Sequence, residues 1–341
     1  MPISVGMVSL GCVKNQIDAE MMMATLKNAG FELRDDAALA DVAIVNTCGF
    51  IEDAKKESID EILELAKLKA EGRIRAIVVT GCLAERYQKE VRKELPEADA
   101  VVGIGANANI ADIIKRVMEE KEKVEIFPEK TQLPLCGERV LSNPSYFAYL
   151  KIAEGCSNCC TYCAIPMIRG GYRSRSKESI LDEARSLAKD GAKELILVAQ
   201  DTSRYGLDLY GRLCLPELLD DLCEIDGIQW IRLLYCYPDY FSDELIDTIA
   251  RQEKIVKYVD LPLQHASGKI LKAMNRKGDR QSLTALIQKL RSRIPGLVLR
   301  TTMITGFPGE TEEDFTELAE FVKETGFGRL GSFAYSQDEG T

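Results

Sequence analysis

The feature that most restricts the fold of this chain is an alternation, run through twice, of short apolar segments with amphipathic ones. ISVGMVSLG, ADVAIVNTCG, RIRAIVVTGC and ADAVVGIG have strand character. The segments that follow them, around AEMMMATLKNAG, AKKESIDEILELAKLKAEG, AERYQKEVRKELP and NIADIIKRVMEE, have helical spacing. Strands that are apolar almost throughout and separated by helices belong in a parallel sheet covered on both faces. A second series starts near residue 146, with strands expected in YFAYLKIAEG, KELILVAQD, IQWIRLLYCYP, VKYVDLPLQ, LVLRTTMITG and GRLGSFAYSQ. Six β/α units in succession predict a partial barrel, short of the eight that close a complete one. The fold class is therefore α/β: an N-terminal doubly wound parallel-sheet domain over residues 1–121, then a partial six-unit β/α barrel over 146–341. Residues 122–145 hold three prolines and no sustained periodicity, and are expected to be an interdomain connection. The chain stops at SFAYSQDEGT, straight after the last expected strand, which reads as a domain boundary or a truncation.

Length and composition set the class of molecule. A chain of 341 residues is too long for one ordinary core, and about two domains is the expectation. Hydrophobic content of 46% with 29% charged residues fits a globular protein and excludes a disordered or fibrous one. No apolar run reaches the roughly 18 residues of a membrane span. MPISVGMVSLGC lacks a basic leading region and a cleavage signal, so a cytoplasmic protein with no membrane partner is expected. Eleven cysteines in such a chain argue for metal ligation where they cluster, because cytosolic thiols stay reduced. A net charge of −10 favours a protein or small-molecule partner over bulk nucleic acid.

Cys12, Cys48 and Cys82 occur in VSLGC, IVNTCG and VVTGC, each where an expected strand gives way to a helix. In a parallel sheet all such ends lie along one edge, where ligands bind in open α/β folds. A single strand-end cysteine is most often a buried structural thiol. Three in register, one per β/α unit and two of them flanked by glycines that admit close backbone approach, point to a shared metal site instead.

The stretch EGCSNCCTYCAIP at 154–166 occupies the equivalent place after the first barrel strand, the end where barrel chemistry is found. Read as two abutting Cys-x2-Cys hooks it would supply a closed zinc site, but such hooks normally stand some 12–20 residues apart. Adjacent Cys159 and Cys160 would also have to face one ion from consecutive Cα atoms. Read as Cys156-x3-Cys160-x2-Cys163 it supplies three ligands and leaves Cys159 idle. A four-iron cluster normally takes four thiolates, so three leave one iron open.

That C-x3-C-x2-C spacing, with an aromatic residue (Tyr162) before the third cysteine and a Gly-rich turn TGFPGE at 305–310, resembles the radical S-adenosylmethionine enzymes. Together with an N-terminal domain carrying three single cysteines, the chain resembles one subgroup of them, the methylthiotransferases. The matching stretches are SLGCVKNQIDAE, NTCGFIEDAKKESIDEIL, GCLAERY, LKIAEGC, CAIPMIRGGYRSR, LVAQDTSRYG, DLPLQHAS and TGFPGETEEDF. They resemble the branch that modifies an aspartate of a small-subunit ribosomal protein (protein S-twelve) more than the branch that modifies tRNA adenosine. Val13 stands where the branch commonly has proline, and Cys159 where it has another polar or basic residue. The family also ends in a small β-barrel module (TRAM-like) thought to help dock the substrate, and that module is expected to be absent from this chain.

The resemblance implies a partial barrel of radical S-adenosylmethionine type and two [4Fe-4S] clusters. Cys156, Cys160 and Cys163 would hold the cluster that binds S-adenosylmethionine, and Cys12, Cys48 and Cys82 the auxiliary one that presents the sulfur. The reaction implied is methylthiolation of the aspartate β-carbon, started by a hydrogen-abstracting radical because an unactivated C–H bond has no useful acidity for a general base. It further implies an electron donor such as flavodoxin or ferredoxin, and a ribosomal protein, free or on the ribosome, as partner, with nucleic acid not a direct substrate. Tyr162, Gln200, Asp201, Gln264, Arg300, Thr302 and Gly306 fall near the ends of expected barrel strands and are candidate contacts to the cofactor. For His265, the one histidine, nothing favours a ligand role over a hydrogen-bonded rim position. Arg169, Arg173 and Arg175 read either as a solvated basic surface or as a patch that attracts an acidic or nucleic-acid-associated substrate. Cys136, Cys214, Cys223 and Cys236 lack ligand spacing, and Met21–Met23 are expected in a core. Two alternatives remain: the tRNA-directed enzyme, and a non-catalytic iron–sulfur electron carrier, which would need fully ligated clusters.

Overall fold

In the computed structural model, which describes residues 2–120 and 123–341, the first series of apolar runs forms one six-stranded sheet. Its strands are β1 (Ser4–Ser9), β2 (Glu32–Arg34), β3 (Val42–Thr47), β4 (Ala76–Gly81), β5 (Ala100–Val102) and β6 (Val124–Ile126). They lie in the order β2-β1-β3-β4-β5-β6, every pair parallel. All residues of β3 and β4 are buried, as strands covered on both faces must be. Alternate side chains enter two cores. Val42, Ile44 and Val78 pack with Met22, Leu26, Ile110 and Ile114 of helices Val13–Asn28 and Ile110–Glu120. Ala43, Val45, Ile77 and Val79 pack on the other face with Ile62, Leu65, Leu83 and Val91 of helices Glu52–Ala70 and Cys82–Glu94.

Two strands were not foreseen. β2 is a three-residue edge strand with no apolar pattern of its own. β6 lies inside 122–145, the expected connection, yet pairs with β5 from Ala100↔Val124 to Val102↔Ile126. Farther along the same segment, buried Arg139 donates to Glu20 Oε2 (Nη2, 2.7 Å), and Ser142 Oγ donates to Glu20 Oε1 (2.7 Å). The chain is thus part of the first compact unit as far as Ser142, and residues Ala164–Gly170 also belong to that unit. The expected connection is a piece of the first domain, held by polar contacts that leave no periodicity to read. The domain boundary expected at 121–122 itself lies outside the described residues.

The second unit comprises Asn143–Cys163 and Gly171–Thr341. Its main sheet contains β7 (Phe147–Lys151), β10 (Glu194–Val198), β11 (Trp230–Leu233), β12 (Ile255–Asp260), β13 (Val298–Thr305) and β14 (Arg329–Ala334). A two-stranded antiparallel ladder, β8 (Ala153–Glu154) with β9 (Arg173–Ser174), stands apart from it. The main order is β14-β13-β12-β11-β10-β7, all parallel, which is the expected succession of six β/α units. Its helices are well bounded: Asp279 Oδ1 accepts from Ser282 N at 2.8 Å while Asp279 N donates to Ser282 Oγ, a reciprocal cap on helix Arg280–Arg293. Among the described residues no helix is long and apolar enough to cross a membrane.

Candidate functional site

In the first unit the strands β1, β3 and β4 are neighbours, and their C-terminal ends lead directly into Cys12, Cys48 and Cys82. Thr47 pairs with Gly81, so Cys48 and Cys82 stand level on adjacent strand ends. The glycines beside them act through close approach. A Cβ on Gly11 would lie 2.8 Å from Cys48 Sγ, one on Gly49 2.8 Å from the Leu83 backbone, and one on Gly81 2.5 Å from Thr47 N and O. Asn15 binds this edge together: its Nδ2 donates to the carbonyls of Leu10 (2.7 Å), Asn46 (3.2 Å) and Thr47 (3.2 Å).

Arg169 completes the edge. Its side chain is 1% exposed; Nη1 donates to Asp18 Oδ2 at 2.7 Å, and Nη2 to Asn15 Oδ1 at 3.0 Å and Cys82 Sγ at 3.5 Å. Cys82 packs against Ala164 and Ile168. Burial pushes the Cys82 thiol up to about 12 and raises Cys48 as well, each opposed by the Arg169 charge. For Cys12 the cost of burial is outweighed by Lys14, Arg169 and the backbone N–H groups of Asn15 and Lys14, and its pKa falls below the usual thiol value. A low-pKa thiol at a helix start is the form that ligates metal.

Arg169 and Arg175 are therefore not part of the basic surface considered from sequence. Arg175 is buried too, donating to Lys151 O (2.7 Å), Glu183 Oε2 (2.6 Å) and Ser179 O (3.0 Å). Neither it nor Arg169 can serve as an exposed patch for a substrate, because each is enclosed by its own unit's partners. Arg173, in β9, is half-buried, and burial lowers its pKa against the attraction of Glu154.

In the second unit the loop 155–163 leaves β8 at Gly155 and carries Cys156, Cys160 and Cys163. The Cys163 N–H donates to Cys160 O at 3.0 Å, which folds the second half of the loop into a turn. Cys159, the odd cysteine, is exposed at φ 51, left-handed for a non-glycine residue. Its carbonyl accepts from Asn275 Nδ2 at 2.9 Å, and Thr161 Oγ1 donates to Ala273 O at 2.9 Å, so the loop is pinned to the end of helix Gly268–Ala273. Burial raises the Cys156 thiol to about 11, opposed by the Asn158 N–H.

The candidate cofactor contacts divide. Gln200 donates through Nε2 to Glu154 Oε1 (2.6 Å), and its Oε1 is buried without a partner. Gln264 sits at φ 73, its backbone bonded to Thr302 O (2.8 Å) and Ile304 N (2.7 Å), and its Oε1 is likewise buried and unpartnered. Buried polar atoms are nearly always satisfied, and these two amide oxygens are among the few in the described residues that are not. Asp201 is already engaged: it accepts from Asn158 Nδ2 (2.9 Å) and Ser203 Oγ (2.7 Å) and holds the cysteine loop in place. Arg300 donates to Asp260 Oδ1 at 2.7 Å. Tyr162 is packed edge-on to Phe307 (6.4 Å) among Ile270 and Met274. Thr302 is half-buried, and Gly306 is exposed at φ 75. His265 is fully buried, not on the rim; its Nδ1 accepts from Ser267 N (3.0 Å) and its Nε2 stands 3.6 Å from Glu310 Oε1.

Sequence reading overlooked Asn15, Asp18, Glu154 and Arg276. The last, 9% exposed, reaches Cys160 Sγ through Nη1 at 3.7 Å and Pro262 O through Nη2 at 2.7 Å. Its one signal was an arginine in MNRKG, directly after a helix, which is a common and uninformative place.

Among the described residues no three Cys, His, Asp or Glu side chains close around a single ion, so fit is judged on the donor sets. The first holds three thiols at the C-terminal edge of a parallel sheet, and the second holds three on the loop that leaves β8. Soft sulfur donors of that kind suit iron–sulfur clusters.

Two family models match the chain: the radical SAM superfamily over residues 150–322 and the uncharacterized protein family UPF0004 over residues 4–103. The chain is similar in fold to the radical S-adenosylmethionine methyltransferase TsrM of Kitasatospora setae (TM-score 0.72, 16% identity, 98% of this chain and 75% of that one). It is also similar to the cobalamin-dependent radical enzyme OxsB (TM-score 0.64, 14% identity, 94% and 52%). Among sequences, it is 53% identical over 338 residues to the ribosomal protein uS12 methylthiotransferase RimO of Thermoanaerobacter sp. strain X514, covering 99% of this chain and 77% of that protein. The Clostridioides difficile strain 630 protein of the same name is 52% identical over 343 residues, covering 99% and 76%. With identity above half over nearly its whole length, the chain belongs to the RimO family of ribosomal protein uS12 methylthiotransferases, within the radical SAM superfamily.

Proposed function

We propose that this chain attaches a methylthio group to the β-carbon of an aspartate in ribosomal protein uS12 by radical S-adenosylmethionine chemistry. The observation that carries the reading is the pair of three-cysteine sets, one at the C-terminal edge of the first unit's parallel sheet and one on the loop that leaves β8, in a chain about half identical to enzymes of that name. Cys156, Cys160 and Cys163 would hold one [4Fe-4S] cluster, and Cys12, Cys48 and Cys82 a second. When bound, the first cluster with S-adenosylmethionine supplies a radical able to take a hydrogen atom from an unactivated carbon, and the second supplies the sulfur.

The chain's own work is positional. Asn158, Asp201, Asn275 and Thr161 fix the 155–163 loop. Gln200 and Gln264, whose amide oxygens are buried and unpartnered, would supply polar contacts to the amino-acid or ribose groups of S-adenosylmethionine. Lys151 and Glu154, both buried and 3.0 Å apart, hold the strand from which the loop departs. Gly11, Gly49 and Gly81 bring the three strand ends of the first unit close enough to present their thiols together. An electron donor such as flavodoxin or ferredoxin would reduce the clusters, and nucleic acid would not be a direct substrate.

The test is anaerobic incubation of reconstituted protein with reductant, S-adenosylmethionine and uS12, read by peptide mass. A gain of one methylthio group on aspartate is expected. An unchanged uS12 beside methylthiolated adenosine in tRNA would transfer the chemistry to the other substrate class.

A further inference from the structure

Resting on that two-cluster reading, we propose that Arg276 is a positioning residue that serves as the buried counter-ion of the cluster held by Cys156, Cys160 and Cys163 and raises its reduction potential. A guanidinium removed from water is costly unless an anion accompanies it. Arg276 is 9% exposed, and its contacts are a sulfur (Cys160 Sγ, 3.7 Å), a carbonyl (Pro262 O, 2.7 Å) and the face of Tyr237, 4.3 Å from the ring centroid. Among the described residues no carboxylate stands within ion-pair distance of it. The carbonyl and ring provide dipole and quadrupole but no charge. The missing anion is supplied by three thiolates and the electrons their cluster accepts.

Arg169 is the contrast within the same molecule. It donates to Cys82 Sγ at 3.5 Å, but its charge is matched by Asp18 at 2.7 Å. The two arginines thus make the same N–H···S contact with opposite charge balance. Hydrogen bonds to sulfur and local net charge both set cluster potentials, so removing Arg276 alone, and Arg169 together with Asp18, separates the two effects.

The experiment uses the full chain reconstituted with iron and sulfide, in wild-type form and as R276Q, R276K and the double variant D18N/R169Q. Iron is counted per chain, and the reduced fraction of each cluster is followed by electron paramagnetic resonance during a redox titration. A Cys12→Ser, Cys48→Ser, Cys82→Ser background isolates the cluster next to Arg276. R276Q is expected to shift the oxidised-to-reduced ratio at fixed potential at least tenfold toward oxidised, which is about 59 mV for a one-electron couple. R276K, which keeps the charge, is expected to shift it less than threefold, and the double variant D18N/R169Q, which removes a matched pair and leaves the net charge unchanged, to shift its own cluster less than threefold. Failure of R276Q to load iron, with R276K loading and holding its potential, also supports the proposal. A normally loaded R276Q with an unmoved ratio overturns it, as does an R276K that shifts as far as R276Q. Loss of the cluster from both variants while the chain stays folded counts against it too. A wild-type chain that takes no iron at Cys156, Cys160 and Cys163 overturns the two-cluster reading and this proposal with it.

Discussion

Gly81→Ala tests whether the first cysteine set depends on backbone contact between strand ends. Gly81 has φ 93 and ψ −164, a region essentially reserved for glycine, so an alanine there costs about 1–3 kcal/mol in backbone strain. Its Cβ would also stand 2.5 Å from Thr47 N and O and 2.7 Å from Asn46 Oδ1. None of these atoms is the free end of a flexible side chain: Thr47 is paired with Gly81 in the sheet, and Asn46 Nδ2 is bonded to Asn15 O at 2.7 Å. Overpacking of that kind adds about 1–3 kcal/mol, for a total of about 2–6 kcal/mol. Gly72→Ala is the control. It has φ 75 but nothing within 4 Å of the added methyl, so only a left-handed cost of about 1–2 kcal/mol applies. With a urea slope of about 2 kcal/mol per molar, the first variant's midpoint is expected to fall by about 1–3 M and the control's by at most about 1 M. Moving Gly81 also moves Cys82 relative to Cys48, so iron content of the first variant is expected to drop from about eight per chain toward about four. A Gly81→Ala protein that unfolds at the control's midpoint and keeps its iron refutes the close-approach argument.

Three further outcomes follow from local geometry. Cys159→Ser is expected to retain the iron of wild type and Cys160→Ser to lose about half, because Cys159 is exposed on left-handed backbone while Cys160 faces Arg276; iron analysis decides it. Lys151→Met should cost about 3–5 kcal/mol by leaving the buried Glu154 carboxylate short of its cation, and the Lys151→Met, Glu154→Gln double variant should recover most of that in urea unfolding. Asp314 is held below the usual carboxylate range by Lys269, then Ser267 and the Thr311 N–H. A depressed folded pKa contributes stability above the unfolded value of about 4, lost as pH falls through the folded one. Asp314→Asn should therefore be the less stable protein at pH 7, by about 1 kcal/mol since Lys269 is well exposed, with the gap closing toward pH 2; unfolding midpoints at both pH values check the sign.

What could be read from the sequence and what could not divide along a physical line. β3 and β4 were legible because strands buried on both faces must be apolar throughout, and VAIVNT and AIVVTG are nearly so. Cys12, Cys48 and Cys82 could be placed on one edge because a parallel β/α repeat puts every strand end on the same side. β2 and β6 escaped because three residues carry no period. The arginines were misread for a different reason. RGGYRSR has the composition of a solvated surface, and nothing local distinguishes it from one. Its burial depends on Asp18 and Asn15, more than 150 residues from Arg169 in the chain, and on Glu183, placed one helix later than Arg175. Charge compensation is a property of the folded neighbourhood, and local pattern does not encode it.

That difference bears on how such a site is built. Cysteines at strand ends follow from topology almost without cost, since each β/α turn already places one residue at the edge. Holding three thiolates there is the harder requirement, because each must be desolvated next to the others. In the first unit the Arg169 charge favours ionisation of all three thiols, and its position is secured by Asp18 and by Asn15, which also clamps the strand ends. The same side chain that orders the edge also makes it tolerate negative charge. In the second unit the tasks are split: Asp201 and Asn275 order the loop through Asn158 and Cys159, while Arg276 supplies the charge. A cation that is not also the clamp can be altered with less damage to the loop, which is why Arg276 is the better place to separate electrostatic tuning from folding.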